Sequence, residues 1–374
     1  PYQNIYLSAF NDFTFTNYKS SKIDYFPYLT LNEDRLEGEV DNKAGAEIFW
    51  KIDSSRQLNA AFNPDFGQVE SDAVVVNFSA SETFYSDKRP FFSENHNLFN
   101  VQGYRFFYVI NTRRIGASPD YNCSEDFSLQ QDLCEDAQKG SNDIDAAFRY
   151  TQQGENFDVG FLGAFEANEK FSEGKDFYAA RLRTKRDNLS LGYLGTYVNR
   201  PIIDRTAKVN AVDFEYRPSS IRRLSGAVLA SDVNGETGYG LTIGYGHDPS
   251  KNRHNGVGVY YFDENLDIND MGYLVRNDWL MIGGRASIKQ TNFSQDSITR
   301  ARKYEIGYSL KSTSDFEKEP SGLSFSAENS FTNTSEIKAE VFYRTTGRDN
   351  LITRKSALSP YINMPKGYGM ELEY

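Results

Sequence analysis

Pairs of carboxylates are the groups in this sequence that come nearest to a catalytic arrangement. Asp65 with Glu70, and Glu82 with Glu94, lie within one short stretch, and glycoside hydrolases place two such acids on either side of the bond they cleave. The separation of each pair depends on folding, and a chain with 52 acidic residues contains many accidental pairs. We therefore predict no catalytic residues and no enzymatic activity, with glycoside hydrolysis kept as an alternative.

Motifs for metal, nucleotide or nucleophile chemistry are missing from the chain. The histidines His96, His247 and His254 lack metal-ligand spacing, and no serine-hydrolase, zinc-protease, phosphate-loop or C-x-x-C pattern occurs. Glycines alternate through residues 238–246, but the helix that a dinucleotide site requires does not follow them. The alternation indicates close packing or a slim lumen, and we predict neither a metal nor a cofactor.

The two cysteines lie in a polar stretch without strand alternation. We predict a surface loop over residues 117–142, closed by a disulfide between Cys123 and Cys134 in an oxidising compartment, with two unpaired thiols as the alternative. The same loop is rich in acids, namely Asp120, Glu125, Asp126, Asp132, Glu135 and Asp136. These acids could hold calcium, but EF-hand spacing is absent, and a solvated acidic loop is the commoner outcome.

The composition of the chain differs from that of an ordinary water-soluble globular domain. Aromatic residues make up 15% of the 374 residues, whereas hydrophobic residues reach only 39%. This balance fits a transmembrane barrel, in which a polar lumen dilutes an apolar band with aromatic girdles, and it also fits a Tyr-rich secreted β-protein. The net charge of −11 argues against a nucleic-acid partner. No run of about 18 apolar residues occurs, and the start lacks a signal peptide, so we expect a mature or trimmed product.

Alternation with a period of two residues dominates the chain and predicts antiparallel hairpins. The alternating rows are residues 22–31, 43–53, 144–151, 157–166, 177–184, 189–198, 209–216, 224–231, 239–246, 257–262, 279–288, 304–311, 323–331, 337–344 and 370–374. Turns alternate between short ones, such as residues 154–155, and long ones, such as residues 248–255. Tyr and Phe bracket the apolar rows, and small or polar residues fill the opposite face. We therefore predict an all-β, antiparallel transmembrane β-barrel of roughly 16 strands.

One stretch, residues 63–99, combines aromatic residues with charges and fits neither a plain strand nor an amphipathic helix. We name it the signature segment. Because unpaired buried charge is costly, we expect Lys88 and Arg89 to pair with nearby acids, and Arg113 and Arg114 to meet Asp65, Glu70 or Asp72. The acids available to the first pair are Glu82, Asp87 and Glu94. This pairing predicts a plug-like segment packed in a polar lumen; the alternative is two more strands with a tight turn at Pro90.

The signature segment resembles a family of bacterial outer-membrane β-barrels known as domain-of-unknown-function family fifty-nine-sixteen. The matching motifs are Asn63-Pro64-Asp65-Phe66-Gly67-Gln68-Val69-Glu70, Val76-Asn77, Glu82-Thr83-Phe84-Tyr85, Lys88-Arg89-Pro90-Phe91-Phe92-Ser93-Glu94 and Arg113-Arg114-Ile115-Gly116. Asp87 stands where a Glu is more usual in the family. The match covers residues 55–116, and the remainder resembles the family only in its strand texture.

The resemblance implies a location and a shape more than a reaction. We expect residues 1–374 to form one bacterial outer-membrane barrel domain, non-enzymatic, acting as a channel or transporter or as an anchor for an envelope partner. The expected partners are the lipid bilayer and lipopolysaccharide, with a periplasmic or surface protein, a small solute or a glycan as further candidates. Two alternatives are a secreted carbohydrate-binding or glycoside-hydrolysing protein and a structural subunit of an envelope complex. Family members often carry an N-terminal module resembling carbohydrate-binding family nine, which we expect to be missing here, and Tyr374 could be either the true end or a point within the barrel.

Overall fold

The computed structural model of the chain describes residues 21–34, 39–64, 82–101, 106–121, 141–168, 172–346, 353–363 and 369–371. Within these residues the protein is almost entirely β. The strands are β1 (Lys22–Asp34), β2 (Glu39–Lys51), β3 (Arg56–Phe62), β4 (Phe107–Tyr108), β5 (Ile144–Gln153), β6 (Phe157–Glu166), β7 (Asp176–Arg186), β8 (Leu189–Arg200), β9 (Arg205–Ser219), β10 (Arg222–Val233), β11 (Glu236–Ser250), β12 (Arg253–Phe262), β13 (Tyr273–Leu274), β14 (Trp279–Gln290), β15 (Thr299–Ser312), β16 (Lys318–Phe331), β17 (Glu336–Thr346), β18 (Thr353–Asn363) and β19 (Gly369–Glu371). Single helical turns occupy Pro90–Ser93, His96–Phe99, Thr112–Arg114 and Pro201–Ile203.

The described strands form one antiparallel sheet of 17 strands and a separate two-stranded ribbon. In the sheet each strand pairs with the next one along the chain, except that β3 pairs with β5 and β12 with β14. The two short strands left out, β4 and β13, pair with each other. The described pairings run from β1 to β19, and none of them links those two ends. The predicted all-β antiparallel fold is confirmed, while closure into a barrel stays a proposal.

The strand boundaries follow the predicted alternation, with corrections at three places. The long turn predicted over residues 248–255 is wrong, because β11 continues to Ser250 and leaves only residues 251–252 as the turn. No alternating row was predicted between residues 54 and 143, and there the structure adds β3 and the short strand β4, which lies outside the main sheet. Ile144 belongs to the opposite face from Phe148, because the β5–β6 register shifts between Ile144 and Ala146. Periodicity misses this reversal because a bulge inserts one residue.

The two faces of the sheet have opposite polarity. Large apolar side chains lie exposed on the outer face; Val212 and Val228, which are direct partners in β9 and β10, are each 55% exposed. The inner face carries buried charged residues at the alternate positions, among them Arg149, Asp158 and Arg181. A water-soluble sheet shows the reverse arrangement, with its apolar face covered.

The hydrophobic core lies between the inner face and the connection from β3 to β5, residues 63–143, which we call the insert. Phe91, Phe92, Leu98 and Phe99 of the insert are buried, together with wall residues such as Leu194. Consecutive burial of Phe91 and Phe92 excludes strand geometry, in which neighbouring side chains point to opposite faces. The alternative of two more strands turning at Pro90 is therefore wrong for residues 82–101, which contain no strand and form single helical turns at Pro90–Ser93 and His96–Phe99.

Connections differ in length between the two ends of the sheet. At the end where the insert enters, which we call the insert end, residues 167–175 and 263–278 also form long connections. At the opposite end, the turns at residues 187–188, 220–221 and 251–252 contain two residues each, although residues 291–298 form a longer connection there, and the insert end also has a two-residue turn at residues 234–235. In the part of the chain that is described, no helix has the length and apolar character to cross a membrane.

Candidate functional site: the insert and the inner wall

The salt bridge between Asp87 and Arg89 organises the signature segment. The Arg89 guanidinium donates from Nη2 to Asp87 Oδ2 at 2.6 Å and from Nε to Oδ1 at 3.0 Å. The same guanidinium donates to the carbonyl oxygens of Thr112 and Ile115 at 2.6 and 2.9 Å, and it lies 4.3 Å from the ring centroid of Phe92. The Lys-Arg-Pro motif is thereby joined to the Arg-Arg-Ile-Gly motif through one side chain.

Asp87 is held in its charged form by these contacts. Burial by itself raises the pKa of Asp87, but the hydrogen bonds from Arg89 and from the Thr112 hydroxyl bring it below the ordinary value. A carboxylate that accepts several charge-assisted bonds is a strong anchor. Of the partners predicted for Arg89, Asp87 is therefore the one that pairs with it, and the neighbouring Lys88 side chain is exposed.

Glu94, at the end of the same motif, attaches the signature segment to the inner wall. Its Oε2 accepts hydrogen bonds from Gln57 Nε2 at 2.7 Å and from Asn59 Nδ2 at 3.1 Å, both in β3. Arg149 of β5 lies 3.6 Å from the same oxygen, and its guanidinium also lies 5.6 Å from the ring centroid of Phe91. A surface carboxylate would gain little from such contacts, whereas these wall residues are buried and need a partner.

A second attachment joins the end of the signature segment to β7 and β9. Arg181 donates to the carbonyl oxygens of Leu98 and Asn100 at 3.2 and 3.3 Å. Its two terminal nitrogens bind the carboxylate of Asp213 at 2.5 and 3.0 Å. A Cβ on Gly160 would come within 3.0 Å of Leu98 and Phe99, so glycine is required for this close approach.

Glu166 fixes the stretch that follows the second arginine motif. Its carboxylate accepts from the backbone N–H of Gly116 at 2.8 Å and from Asn142 Nδ2 at 3.1 Å. Lys175 lies 3.9 Å from the same carboxylate and donates to the carbonyl of Ser118 at 2.8 Å. Gly116 has φ +74°, a left-handed conformation that favours glycine at this position.

The loop of residues 263–278 covers the insert at the insert end. Arg114 donates to Glu82 Oε2 at 2.6 Å and to the carbonyl of Gly272 at 3.2 Å. The Tyr273 hydroxyl donates to the carbonyl of Glu82 at 2.9 Å, and Phe84 stacks on Tyr108 with a centroid distance of 4.3 Å. The β4–β13 ribbon therefore joins the loop of residues 263–278 to the insert, and the two segments form one layer.

An ion-pair cluster ties this loop to the strand ends. Asp270 accepts from Arg200 at 2.8 Å and from Arg205 at 2.7 Å, while Asp120 of the insert binds Arg200 and Asp267 binds Arg205. Burial raises the pKa of Asp270, but the hydrogen bonds from Arg205 and Arg200 outweigh it, and the net direction is downward. The cluster lines a cavity of about 790 Å³ at the insert end.

Two neighbouring rows on the inner face of β11–β16 carry almost no side chains, and we call them the bare wall; nearer the insert end the same face carries Tyr260, Phe262 and Trp279. Successive register partners form one row across five strands: Gly244, Gly258, Gly283, Ser309 and Gly322. A neighbouring row contains Gly246, Gly256, Arg285, Gly307 and Ser324. Two cavities lie along this wall, one of about 520 Å³ with Phe106 of the insert in its lining, and one of about 260 Å³ lined by Arg285, Glu305 and Glu340.

The structure describes some of the predicted site residues and not others. Asn63 has φ 45°, and its side chain donates to the carbonyl of Ala44 at 2.7 Å; Pro64 beside it is buried. Asp65, Phe66, Gln68, Glu70, Asp72, Cys123 and Cys134 lie outside the described residues, so the disulfide and the pairs assigned to those acids stay predictions. Arg113 donates to the carbonyl of Ser86 at 3.3 Å, and its predicted pairing with those acids stays a prediction. Glu82 and Glu94 bind different partners, Arg114 and the β3 amides respectively, and no contact joins them among the described residues.

The sequence did not identify several residues that hold the insert or the loop of residues 263–278 to the sheet. Arg181, Asp213, Glu166, Lys175 and Asp270 received no role, although the first three interrupt rows of small or apolar residues. A charge at an inward position of a strand row is the signal that could have identified them. Of the acids considered for calcium, Asp120 binds Arg200, and the others lie outside the described residues. The described His, Cys, Asp and Glu residues form no group of three that could hold a metal ion.

Comparison with known proteins supports the family predicted from the motifs. Residues 20–176 match the model of a family described as a domain of unknown function (DUF5916). The predicted family is therefore confirmed over that part of the chain. No curated protein matches the sequence.

Three solved structures from a search of known folds are similar to the chain at low scores. Pseudomonas aeruginosa OccK11 (OpdR) has a TM-score of 0.37 at 8% identity, with 95% of this chain and 85% of that chain covered. Pseudomonas aeruginosa OccK8 (OprE) has a TM-score of 0.36 at 9% identity, with 94% and 88% covered. A doubly substituted variant of OccD1 (OprD) has a TM-score of 0.35 at 8% identity, with 94% and 85% covered.

Proposed function

We propose that this chain is a bacterial outer-membrane β-barrel, non-enzymatic, that conducts small solutes between its insert and the bare wall of β11–β16. The polarity of the sheet carries this proposal. Val212, Val228, Ile306 and Leu310 on the outer face are exposed, whereas Arg181 and Asp213 on the inner face are fully buried. A sheet in water would lose stability by exposing such a band, but lipid covers it in an outer-membrane barrel.

Closure of the sheet would follow from the same polarity. An open sheet would leave the edge groups of β1 unpaired within lipid, where each unsatisfied backbone group costs several kcal/mol. We therefore propose that β1 pairs with the C-terminal strands. The short turns at residues 187–188 and 251–252 would then face the periplasm, and the insert would enter from the outside of the cell. Lipid and lipopolysaccharide are the partners that this orientation implies.

The solute path would run along the glycine-rich rows. The insert packs against β3–β12 and, through Phe106, against Trp279 of β14, while the glycine-rich rows of β14–β16 are left with small residues and a few charges. Arg285 lies 3.3 Å from Glu305, so both signs of charge reach the space beside the wall. Mixed charge and bare backbone suit passage of small polar solutes without strong preference for one sign of charge.

The membrane part of the proposal is tested by electrophoresis and fractionation. A closed barrel resists detergent, so the unboiled protein should migrate differently from the boiled protein, and it should sediment with outer membranes. A protein that stays soluble without detergent, with the same mobility before and after boiling, would contradict the proposal and favour the secreted alternative.

The channel part is tested by conductance in planar bilayers. Gly256→Phe and Gly307→Phe place a ring beside the wall, where a Cβ meets no atom closer than 3.2 Å, so folding should be retained. We expect each to lower single-channel conductance severalfold. Ala286→Phe, at an outward position of β14, is the matched control and should leave conductance unchanged. A folded protein without conductance would favour the anchor function over the channel.

A further inference from the structure

We propose that the signature segment contains a binding site for a small neutral solute that carries hydroxyl groups, of monosaccharide size. The site is a cavity of about 320 Å³ whose described lining residues lie between Phe84 and Thr112. This volume lies at the lower end of the range of about 300–1,000 Å³ that is usual for small-molecule pockets. The inference goes beyond the proposed channel, because binding at this cavity does not depend on conduction.

The first observation is an unpartnered amide in the cavity wall. Asn111 is 8% exposed and lines the cavity, and among the described residues its side chain has no hydrogen-bond partner. Its backbone N–H, by contrast, donates to the carbonyl of Met271 at 2.6 Å. The amide atoms of Asn111 are not among the fully buried polar atoms that lack a partner, so the amide is open to the cavity, where water or a ligand can bind it.

The second observation is the set of polar groups that accompany Asn111. His96, Asn97 and Asn100 line the same cavity, and Asn100 donates weakly to Asn97 Oδ1 at 3.4 Å. Burial lowers the pKa of His96, which favours the neutral imidazole with one donor and one acceptor nitrogen. Each of these groups offers a donor and an acceptor, as does each hydroxyl of a polyol.

The charge in the cavity excludes an ionic ligand. Asp87 is the one ionised group in the lining as described, and its carboxylate is already bound by Arg89 and by Thr112. An anion would meet this carboxylate without a free cation to balance it, and a cation would have to compete with the Arg89 guanidinium. Desolvating a charge without a partner is costly, so a neutral ligand is favoured.

Access and shape complete the argument. Ser93 and Asn97 in the lining are exposed, so the cavity is open to solutes beside the insert. The rings of Phe84 and Tyr108 form an apolar part of the wall. A monosaccharide presents both kinds of surface, with hydroxyl groups at its rim and C–H groups on its face.

The test uses detergent-purified full-length protein and D-glucose as the probe, with gluconate and glucosamine as charged analogues of similar size. Binding is measured by saturation-transfer NMR and calorimetry, so it is independent of any conductance. We expect saturable glucose binding, and weakening of about tenfold in Asn111→Leu and in Asn97→Ala, from one or two lost hydrogen bonds. Asn252→Ala, in a turn at the opposite end, is the matched control and should bind as the wild type does.

Three outcomes would overturn the site. They are no saturable binding of glucose, equal binding in wild type and both cavity variants, and stronger binding of gluconate or glucosamine than of glucose. Because Asn111 is buried, Asn111→Leu could fail to fold, and the exposed Asn97→Ala then decides the question. Loss of conductance in bilayers together with intact glucose binding would contradict the channel while leaving this site in place.

Discussion

The guanidinium of Arg181 and the carboxylate of Asp213 form a fully buried ion pair, with nitrogen–oxygen distances of 2.5 and 3.0 Å. The two residues come from β7 and β9, which are separated by β8. The pair spans Gly192 of that middle strand, where a Cβ would come within 2.7 Å of both side chains. Arg181 also holds two carbonyl groups of the insert, so one pair connects three strands to the inserted segment.

Removal of one partner of this pair should destabilise the fold strongly. Arg181→Met leaves Asp213 buried and uncompensated, for which we expect a loss of about 3–5 kcal/mol in the free energy of unfolding. The double variant Arg181→Met with Asp213→Leu should lose less than the sum of the single variants. The free energies of unfolding of the single and double variants are measured by urea titration of the protein in lipid vesicles. Arg217→Ala removes an exposed pair with Glu215 and should cost less than about 1 kcal/mol.

Release of the signature segment should change ion flow. Arg89→Ala removes the bonds to Asp87 and to the carbonyl groups of Thr112 and Ile115, and Glu82→Ala removes the bond to Arg114. Because these contacts hold the insert, we expect higher mean conductance or added fluctuations of the open current in planar bilayers. Arg186→Ala, at an exposed position at the end of β7 away from the insert, is the control. Unchanged folding and unchanged conductance in both variants would remove the pinning role.

A charge on the outer face separates the membrane hypothesis from the soluble one. Val228 is 55% exposed on β10, opposite Val212. In a bilayer, Val228→Arg should cost about 2–4 kcal/mol of unfolding free energy if the position lies near the midplane. On a water-exposed surface the same change should stay within about 0.5 kcal/mol. Val228→Leu is the matched control, and equal stability of the two variants in vesicles would contradict insertion.

Acid should loosen the loop of residues 263–278 through Asp270. The hydrogen bonds from Arg205 and Arg200 outweigh burial and place the pKa of Asp270 below its ordinary value of about 3.9. A lowered pKa in the folded state contributes stability that is full above the unfolded pKa and is lost as pH falls through the folded pKa. The unfolding temperature of the wild type should therefore fall below about pH 4 more steeply than that of Asp270→Asn. If the unfolding temperatures of the two proteins fall in parallel between pH 7 and pH 3, the Asp270 carboxylate does not contribute to the stability of the fold.

The sequence determined the local structure of this protein and the family match over residues 20–176. Rows such as residues 239–246 alternate in steps of two, and that period fits only strands, so the all-β fold and most strand positions could be predicted. The aromatic and charged signature segment indicated the family, and the bond between Arg89 and Asp87 was one of three pairings that it predicted for Arg89. Local spacing was sufficient for each of these.

Only the tertiary structure decided which charges meet and which face is inside. Glu94 binds Gln57, which is 37 residues away, and Arg181 binds Asp213, which is 32 away; both contacts depend on strand register and on the path of the insert. The alternation of apolar and polar residues does not show which of the two faces of a strand points inward, so the inner face of β6 or β11 could not be predicted from it. A one-residue register shift next to Ile144 moved its side chain to the opposite face of the sheet, although the alternation of residue types in the sequence continues unchanged. The insert supplied the missing information, because the face that it covers is the face that carries the buried charges.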